Sequence, residues 1–396
     1  MDDVLAYVAL KFALFAIVVH LVTVLIALRR LRTPDDAGRD FGSGPPVTII
    51  RPVRGADASE ERTLTSTFKL DYPGYEILFC CAEADDAAVP LVRKLIDEHP
   101  GVPARLLIGD DRISENPKLN NVMKGWRAAS YDWIVMADSN VDMPRDYLQR
   151  LLAAWRPDTG LVSAPPIGSA PQGAGADLEC AFLNTYQARW QYVADTLGAG
   201  FAQGKNLLWR RRDLDAAGGP PALAGEPAED AAATKVVRGL GLRVRLADGA
   251  FPQPLQFKTM AQVWSRQVRW ARLRRATFPL LFTSEIASGM AAPLLAIAIA
   301  GAVLEFDIVP VAVAYAAVWF GAEAALAAGV GWHLTWRSAL MWPVRELMLP
   351  AVWVQAWFGK SFSWQGKEMT AERGLGTRAS MAAAGTAAGA TMASDL

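Results

Sequence analysis

The feature that most constrains the fold is an apolar run near the N-terminus. Residues 4–28 are apolar apart from Lys11 and His20. Such a run is long enough to cross roughly 30 Å of hydrocarbon as a tilted helix. The residues before it are acidic and no small-residue cleavage site follows it, whereas a signal peptide begins with a basic segment. The sequence therefore predicts a retained transmembrane anchor over residues 1–32.

Basic residues after this run predict its orientation. Arg29, Arg30, Arg32 and Arg39 follow the apolar segment directly. Lys and Arg are enriched on the cytoplasmic side of membrane helices. We therefore expect an integral membrane protein whose next domain lies in the cytoplasm.

The C-terminal third contains further apolar runs. Residues 288–304 and 308–330 are joined by a short acidic loop, and a cluster of arginines precedes them. These runs predict a C-terminal membrane region over residues 284–360. Residues 343–358 include Arg345 and Glu346, so this stretch crosses as a tilted helix, re-enters, or lies in the interface. Residues 377–396 are mostly Ala, Gly, Ser and Thr and predict a disordered tail.

Composition excludes some classes of protein. Hydrophobic residues make up 52% of the chain, and 40 basic residues balance 40 acidic ones. With no net charge there is no overall field to attract nucleic acid, so we expect no nucleic-acid partner. Cys80 and Cys81 would point to opposite faces of a strand, and Cys180 leaves an odd number, so we expect buried free thiols.

Between the membrane segments the pattern is α/β. Short apolar runs rich in β-branched or aromatic residues alternate with helical stretches; they cover residues 47–52, 75–81, 104–109, 133–137 and 161–164. This alternation predicts a Rossmann-like domain over residues 45–259 with a mainly parallel sheet. Ligands of such sheets bind at the carboxyl ends of the strands, where the polar motifs of this chain fall.

The motif after the fourth strand has the composition of a metal site. Asp138, Asn140 and Asp142 alternate there, and their hard oxygen atoms suit Mg²⁺ or Mn²⁺ carrying a diphosphate. We expect Asp138 and Asn140 to be the metal-binding residues, with Asp138 as the main ligand. An isolated aspartate in this position can equally cap the next turn.

Two further motifs fit the binding of a nucleotide. Asn116 and Pro117 predict the N-cap and first residue of a helix, whose free amides and Lys118 favour an anion. An ordinary capped helix with a solvated lysine fits these residues equally well. Asp85 and Asp86 follow the second strand, where they either begin a helix or bind the uracil and ribose.

The last two motifs provide a base and cations. Glu229 and Asp230 precede a helical run, and Asp230 is the candidate base that takes a proton from a hydroxyl acceptor. Acidic residues are also favoured at a helix N-terminus, which explains the pair equally without a catalytic role. Residues 260–283 form a basic amphipathic segment that fits a helix on an anionic membrane surface. Within it Arg266 and Arg269 face one way on a helix, so the pair is suited to a diphosphate, with Trp270 on the acceptor side.

These motifs together resemble the ceramide glucosyltransferase family, which are inverting glycosyltransferases of the GT-A fold. The likeness extends over about residues 45–280, and its most distinctive string is Asn-Pro-Lys-Leu-Asn-Asn at 116–121. The other matching stretches are 50–57, 70–78, 84–86, 104–109, 131–139, 228–230 and 266–270. The resemblance implies transfer of a sugar from a UDP donor to the primary hydroxyl of ceramide, with inversion.

The resemblance also assigns roles by position. It implies that Asp230 is the base and that Arg266, Arg269 and Trp270 form the (Q/R)xxRW motif. The residues expected at the donor are Pro52, Arg54, Asp85, Asp86, Lys118 and Asp138. The second acidic motif departs from the family pattern because it reads Asp-Ser-Asn, which leaves the metal stoichiometry open. No histidine lies between the second and third acidic motifs, where a family member uses one near the donor.

Several alternatives stay open on sequence alone. Relatives with the same motif order use diacylglycerol or hopanoids, and galactose or glucuronic acid can replace glucose in the donor. A non-catalytic nucleotide-binding membrane protein is the alternative from a different class. The high content of Ala, Arg and Gly fits a GC-rich bacterial source, so we expect the bacterial inner membrane.

Overall fold

The computed structural model describes residues 2–32, 44–55, 57, 59–359, 361–364 and 367–370. Arg39 and the tail predicted at residues 377–396 lie outside the described residues. The helices are α1 Asp2–Arg32, α2 Glu60–Ser66, α3 Ala88–Glu98, α4 Pro117–Ala128, α5 Tyr147–Ala153, α6 Ala174–Ala181, α7 Arg189–Thr196, α8 Arg211–Ala216, α9 Glu229–Gly239, α10 Met260–Thr277, α11 Pro279–Ser284, α12 Ala291–Leu304, α13 Ile308–Gly329 and α14 Trp336–Trp357. The strands are β1 Val47–Pro52, β2 Tyr75–Cys81, β3 Ala104–Ile108, β4 Trp133–Ala137, β5 Thr159–Ser163, β6 Pro166–Ser169, β7 Asn206–Arg210, β8 Arg243–Leu246, β9 Phe251–Pro254, β10 Ser361–Trp364 and β11 Lys367–Thr370.

The centre of the molecule is a seven-stranded sheet with the order β3-β2-β1-β4-β7-β5-β8. Its neighbours are parallel except at β7, which runs antiparallel to both β4 and β5. The predicted mainly parallel sheet is therefore confirmed, and β1, β2 and β4 have the predicted bounds. Strand β7 is an addition that the sequence analysis did not include.

Helices cover both faces of this sheet, and each face has its own apolar core. One core contains Phe79 and Leu148, and the other contains Trp126 and Trp209. Cys81 belongs to the first core and Cys80 to the second, and both are fully buried. The predicted alternation of these two thiols is confirmed, and all three cysteines are free and buried.

A long composite helix lies against the N-terminal helix and the C-terminal helices. It consists of α6, a π-helical stretch at Phe182–Ala188, and α7 without a break. This composite helix contacts α1, α10, α13 and α14. The loops at the carboxyl ends of β1, β2 and β4 lie together at one edge of the sheet because these strands are parallel neighbours.

In the described part of the chain, two helices, α1 and α13, are long and apolar enough to span a membrane. A third candidate is the pair formed by Pro279–Ala287 and α12, which is bent by 48°. The apolar run predicted over 288–304 is therefore helical only from Ala291, and α12 has 14 residues. Helix α14 is not among the candidate spans; it contains Pro343 and Pro350 and packs against α6 and α10.

Candidate functional site

A buried arginine holds the loop that carries Asp138 through hydrogen bonds to its backbone. Arg51, in β1, is fully buried and donates hydrogen bonds to the carbonyl oxygens of Asp138, Ser139 and Val141 at 2.9, 2.8 and 3.0 Å. Burial lowers the pKa of Arg51 to about 10, so the side chain stays charged at neutral pH. Three carbonyl oxygens on one guanidinium fix the backbone of this loop.

The Asp138 carboxylate lies between two lysines. Its Oδ1 is 2.6 Å from Nζ of Lys118, and its Oδ2 is 2.6 Å from Nζ of Lys205. Burial alone would raise the pKa of Asp138, but the two ammonium groups lower it well below its ordinary value. Asp138 is therefore ionised throughout the physiological range, as a ligand for cations must be.

Lys118 links Asp138 to the third acidic motif. Its Nζ is 2.7 Å from Oε1 of Glu229, and it also donates to the carbonyl oxygen of Gly204. The Asn116 side chain caps α4 through the amides of Lys118 and Leu119, as predicted, and donates to Oε2 of Glu229 at 3.0 Å. The beginnings of α4 and α9 are thereby joined at the site.

Asp230 lies next to this ion cluster but in a different environment. Its Oδ2 accepts a hydrogen bond from the Gly204 amide at 3.0 Å, and its Oδ1 accepts one from Ala231 at 2.8 Å. Burial, and then the charge of Glu229, raise the pKa of Asp230 to about 6. A carboxylate of this kind is ionised at neutral pH and still accepts a proton readily, which suits a general base.

Asn140 and Asp142 have different surroundings. Oδ1 of Asn140 accepts a hydrogen bond from Nζ of Lys205 at 2.9 Å, so Asp138 and Asn140 share one cation. The Asp142 carboxylate instead accepts two bonds from Arg62, at 3.0 and 2.7 Å. Both bonds end on Oδ2 of Asp142, so this carboxylate is paired with Arg62 and does not share the Lys205 ammonium with Asp138 and Asn140. A metal-binding role for Asp142 stays a prediction.

The geometry agrees only in part with the expectation that Asp138 and Asn140 bind a divalent metal. Within the part of the chain that the structure describes, no group of three or more His, Cys, Asp or Glu side chains is arranged to hold a metal ion. Asp138 and Asn140 nevertheless aim one oxygen each at a common cation, the Lys205 ammonium. Two protein oxygens suit a cation that receives its remaining ligands from a diphosphate and water.

The residues predicted to contact the nucleoside lie on the adjacent strand ends. Oδ1 of Asp86 accepts hydrogen bonds from the amides of Gly55 and Ala88, both at 2.8 Å. Asp86 thus ties the loop after β1 to the start of α3. Asp85 and Arg54 are exposed at the same edge, and Pro52 is the half-buried last residue of β1.

The basic motif lies on α10, which begins with a capping box formed by Thr259 and Gln262. The guanidinium carbon of Arg266 is 4.5 Å from the centroid of the Trp270 ring, and its Nε is 3.2 Å from Oε1 of Glu179. Burial, followed by the charge of Arg266, lowers the pKa of Arg269 to about 10. The two arginines are three residues apart on α10 and therefore lie on one side of the helix.

Electrostatics connect α10 to the ion cluster. Burial lowers the pKa of Lys205, and the charge of Arg266 lowers it further while that of Asp138 opposes both. Arg266 therefore lies within electrostatic range of the Asp138 site. Lys118, Asp138, Asn140 and Asp230 accordingly lie together around Lys205 and Gly204, with Arg266 near Lys205.

Three residues at this site were not expected as functional from the sequence: Arg51, Lys205 and Glu179. Lys205 precedes β7, and its carbonyl accepts the Asp138 amide because β7 pairs with β4. Glu179 is fully buried on α6 beside Arg266. No local pattern marks either residue, because each is placed by a contact between distant segments.

A mainly parallel sheet whose strand ends carry acidic and basic side chains, followed by an Arg-x-x-Arg-Trp helix, defines the class of GT-A glycosyltransferases. The fold is similar to that of a mannosyltransferase from Pyrobaculum calidifontis solved in complex with GDP-mannose and Mn²⁺. The TM-score is 0.52 at 19% sequence identity, covering 90% of this chain and 97% of the other. This likeness concerns the fold. The chain belongs to glycosyl transferase family 21, whose profile matches residues 8–376.

Curated relatives carry the name that the sequence resemblance implied. Ceramide glucosyltransferase 1 of Caenorhabditis elegans is 28% identical over 72% of this chain and 61% of its own length. Ceramide glucosyltransferase 3 of the same organism is 24% identical over 91% of this chain and 80% of its own length. The ceramide glucosyltransferase of Komagataella phaffii is 35% identical over 50% of this chain and 45% of its own length. The first and third matches thus span less than two thirds of those relatives.

Proposed function

We propose that this chain transfers glucose from UDP-glucose to the primary hydroxyl of ceramide, with inversion at the anomeric carbon. The names of the relatives support the donor and acceptor, and membership of family 21 supports sugar transfer. The observation that carries the proposal is the network through Lys118 and Gly204. It connects Asp138, on the diphosphate side, with Asp230, on the acceptor side.

Asp230 is the proposed base. The acceptor oxygen forms a bond to the anomeric carbon while the bond from that carbon to the diphosphate breaks. The hydroxyl proton passes to the Asp230 carboxylate, and the electron pair of the broken bond leaves with UDP. A pKa of about 6 leaves Asp230 ionised at neutral pH, so it is ready to accept that proton.

The cations of the site are proposed to hold the leaving diphosphate. Lys118, Arg266 and Arg269 provide fixed positive charge, which stabilises the negative charge that develops on the departing UDP. Asp138 and Asn140 would hold Mg²⁺ or Mn²⁺, which when bound neutralises part of the same charge. Trp270 packs beside a small apolar cluster that includes Cys180 and Leu255, on the proposed acceptor side.

The remaining expected contacts belong to the nucleoside and the membrane. Pro52, Arg54, Asp85 and Asp86 lie at the adjoining ends of β1 and β2, where the uridine is proposed to bind. Helices α1 and α13 are proposed to cross the bacterial inner membrane with the catalytic domain in the cytoplasm. This orientation places the pocket where UDP-sugars are made and the lipid acceptor within reach.

A crossed assay tests this function. Purified protein in lipid nanodiscs is given UDP-glucose, UDP-galactose or UDP-glucuronic acid with ceramide, diacylglycerol or a hopanoid, and products are resolved by mass and by NMR of the anomeric proton. The expected product is β-glucosylceramide from an α-linked donor. Transfer to diacylglycerol or a hopanoid but not to ceramide would show that the acceptor is that lipid. UDP binding without any product would favour a non-catalytic protein.

A further inference from the structure

Lys205 occupies the position at which the two proposed metal ligands converge. Its Nζ is 2.6 Å from Oδ2 of Asp138 and 2.9 Å from Oδ1 of Asn140. Both distances are those of direct hydrogen bonds, so no other atom fits between the ammonium and these oxygens. Lys205 and a metal ion therefore compete for the same two side chains.

The two lysines at Asp138 are held differently. Lys118 contacts Asp138 Oδ1, Glu229 and the Gly204 carbonyl, so three groups on three segments fix its position. Among the described residues, the Lys205 ammonium has hydrogen bonds only to Asp138 and Asn140. Lys205 is thus the lysine that can leave without breaking the connection to the base.

We propose that Lys205 is an internal counter-ion that excludes a divalent metal from Asp138 and Asn140 until a nucleoside diphosphate binds. The inference rests on the proposed function, because it concerns the metal and diphosphate of that reaction. With the pocket empty, a metal would have to displace an ammonium group and would gain only two protein oxygens. With a diphosphate present, the metal gains phosphate oxygens and Lys205 gains a new anionic partner, so the exchange becomes favourable.

This arrangement makes metal binding follow nucleotide binding. The Lys205 ammonium and a divalent metal at Asp138 would repel each other, and burial of the site weakens the screening of that repulsion by water. Lys205 therefore keeps Asp138 neutralised in the resting protein. Release of UDP would return the ammonium to Asp138 and help expel the metal.

Direct measurement of Mn²⁺ binding tests this role without using activity. Purified protein in detergent is titrated with Mn²⁺, with and without UDP, and free aquo-Mn²⁺ is followed by electron paramagnetic resonance. The wild type is expected to bind Mn²⁺ well only with UDP. Lys205→Met is expected to raise nucleotide-free Mn²⁺ affinity by about tenfold or more, because the competing charge is gone. Lys205→Arg, which keeps the charge, should behave like the wild type.

Matched variants separate this effect from loss of structure. Lys235→Met removes a lysine whose ion pair is with Glu226, so its Mn²⁺ binding should equal that of the wild type. Lys205→Gln is a second neutral variant, used if thermal unfolding shows that Lys205→Met is not folded. Equal nucleotide-free affinity in wild type and both neutral variants would overturn the counter-ion role and leave the proposed reaction intact.

A different outcome affects the proposed function itself. If neither the wild type nor the neutral variants bind Mn²⁺ even with UDP, the metal part of the proposal and the counter-ion role both fall. Sugar transfer would then still be decided by the crossed assay. The two failures are distinguishable. If only the counter-ion role fails, Mn²⁺ still binds in the presence of UDP; if the metal proposal fails, the UDP complex binds no Mn²⁺.

Discussion

Asp138 and Asp230 are two carboxylates of one site whose surroundings change their pKa values in opposite directions. Two lysine ammonium groups keep Asp138 ionised, whereas burial and Glu229 raise the pKa of Asp230 to about 6. Such a separation commonly distinguishes a charge-stabilising carboxylate from one that exchanges a proton. The environments therefore agree with the roles that the motif order predicted for them.

Replacement of Asp230 by asparagine tests the base. The amide keeps the size and can still accept the Gly204 hydrogen bond, but it cannot take up a proton. We expect kcat to fall by about 10²-fold to 10⁴-fold while the Kd for UDP-glucose changes little. Product formation and calorimetric binding measure the two quantities. Asp158→Asn, which alters a surface ion pair with Arg245, is the matched control, and undiminished turnover in Asp230→Asn would remove the assignment.

The pH dependence of kcat/KM provides a second test of Asp230. The base acts only when deprotonated, so activity is present above its pKa and is lost as the pH falls through it. With a pKa of about 6, we expect an acid limb centred there that falls tenfold per pH unit below it. Asp138 stays ionised over this range and adds no limb. A profile that is flat between about pH 5 and 8 would contradict the assignment.

Removal of divalent metal tests the roles of Asp138 and Asn140. We expect excess EDTA to stop transfer, because the departing diphosphate then lacks the positive charge of the metal. Added Mg²⁺ or Mn²⁺ should restore the activity. The measurement is the initial rate of product formation, with calcium-saturated EDTA as the control for non-specific effects. Full activity in excess chelator would show that the lysines and arginines alone neutralise the leaving group.

At the scale of elements, local patterns predicted the strands that are buried on both faces. Strands β1, β2 and β4 are short, mostly apolar runs rich in β-branched or aromatic residues, and their predicted bounds match the structure. Strand β7 was missed because its short apolar core, Leu207 to Trp209, is flanked by polar residues and its partners are distant in the chain. Since β7 positions Lys205, this part of the site could not be predicted either.

The loop before β7 has little room for any side chain at Gly204. A Cβ at this position would lie 2.8 Å from Oε1 of Glu229 and 3.4 Å from Oδ2 of Asp230. We expect Gly204→Ala to displace the Glu229 carboxylate, to shift the Gly204 amide that donates to Asp230, and to lower kcat by about tenfold or more, since small misplacements of reacting groups are costly. Turnover and thermal unfolding are measured together.

Gly225→Ala is the matched control for this change, because a Cβ there meets no atom within 4 Å. It should retain normal turnover. The same rate for Gly204→Ala and wild type would show that the loop shifts without consequence and that Asp230 does not need its present position.

At the scale of the whole molecule, a buried ion cluster joins the membrane helices to the composite helix α6–π–α7. Arg345 of α14 contacts Glu323 of α13 at 2.8 Å and Glu346 at 2.5 Å, and it donates to the Thr185 hydroxyl at 3.0 Å. All three charged groups are buried. Because these charges are satisfied by one another, the cluster serves packing between segments instead of a transport pathway.

The charge balance of this cluster predicts the outcome of substitutions. Arg345→Met leaves Glu323 buried without its partner, so we expect the free energy of unfolding to fall by about 3–5 kcal/mol. The double variant Arg345→Met/Glu323→Gln also removes one of the two carboxylates that Arg345 neutralises, so it should be more stable than Arg345→Met. Thermal unfolding in detergent measures all three. A double variant as unstable as the sum of the single variants would show that the two residues do not act as a pair.

Arg30 at the end of α1 is tied to Asp195 at 2.7 Å and Asp248 at 2.6 Å, and it also donates to the Leu246 carbonyl at 2.8 Å. These contacts fix the anchor to the edge of the catalytic domain. With α1 in the bilayer, as proposed, this attachment keeps the depth of the pocket relative to the bilayer constant from one turnover to the next. In the proposed reaction it is then the lipid acceptor that must protrude from its leaflet, so the reaction rate should follow how readily a given lipid rises among its neighbours.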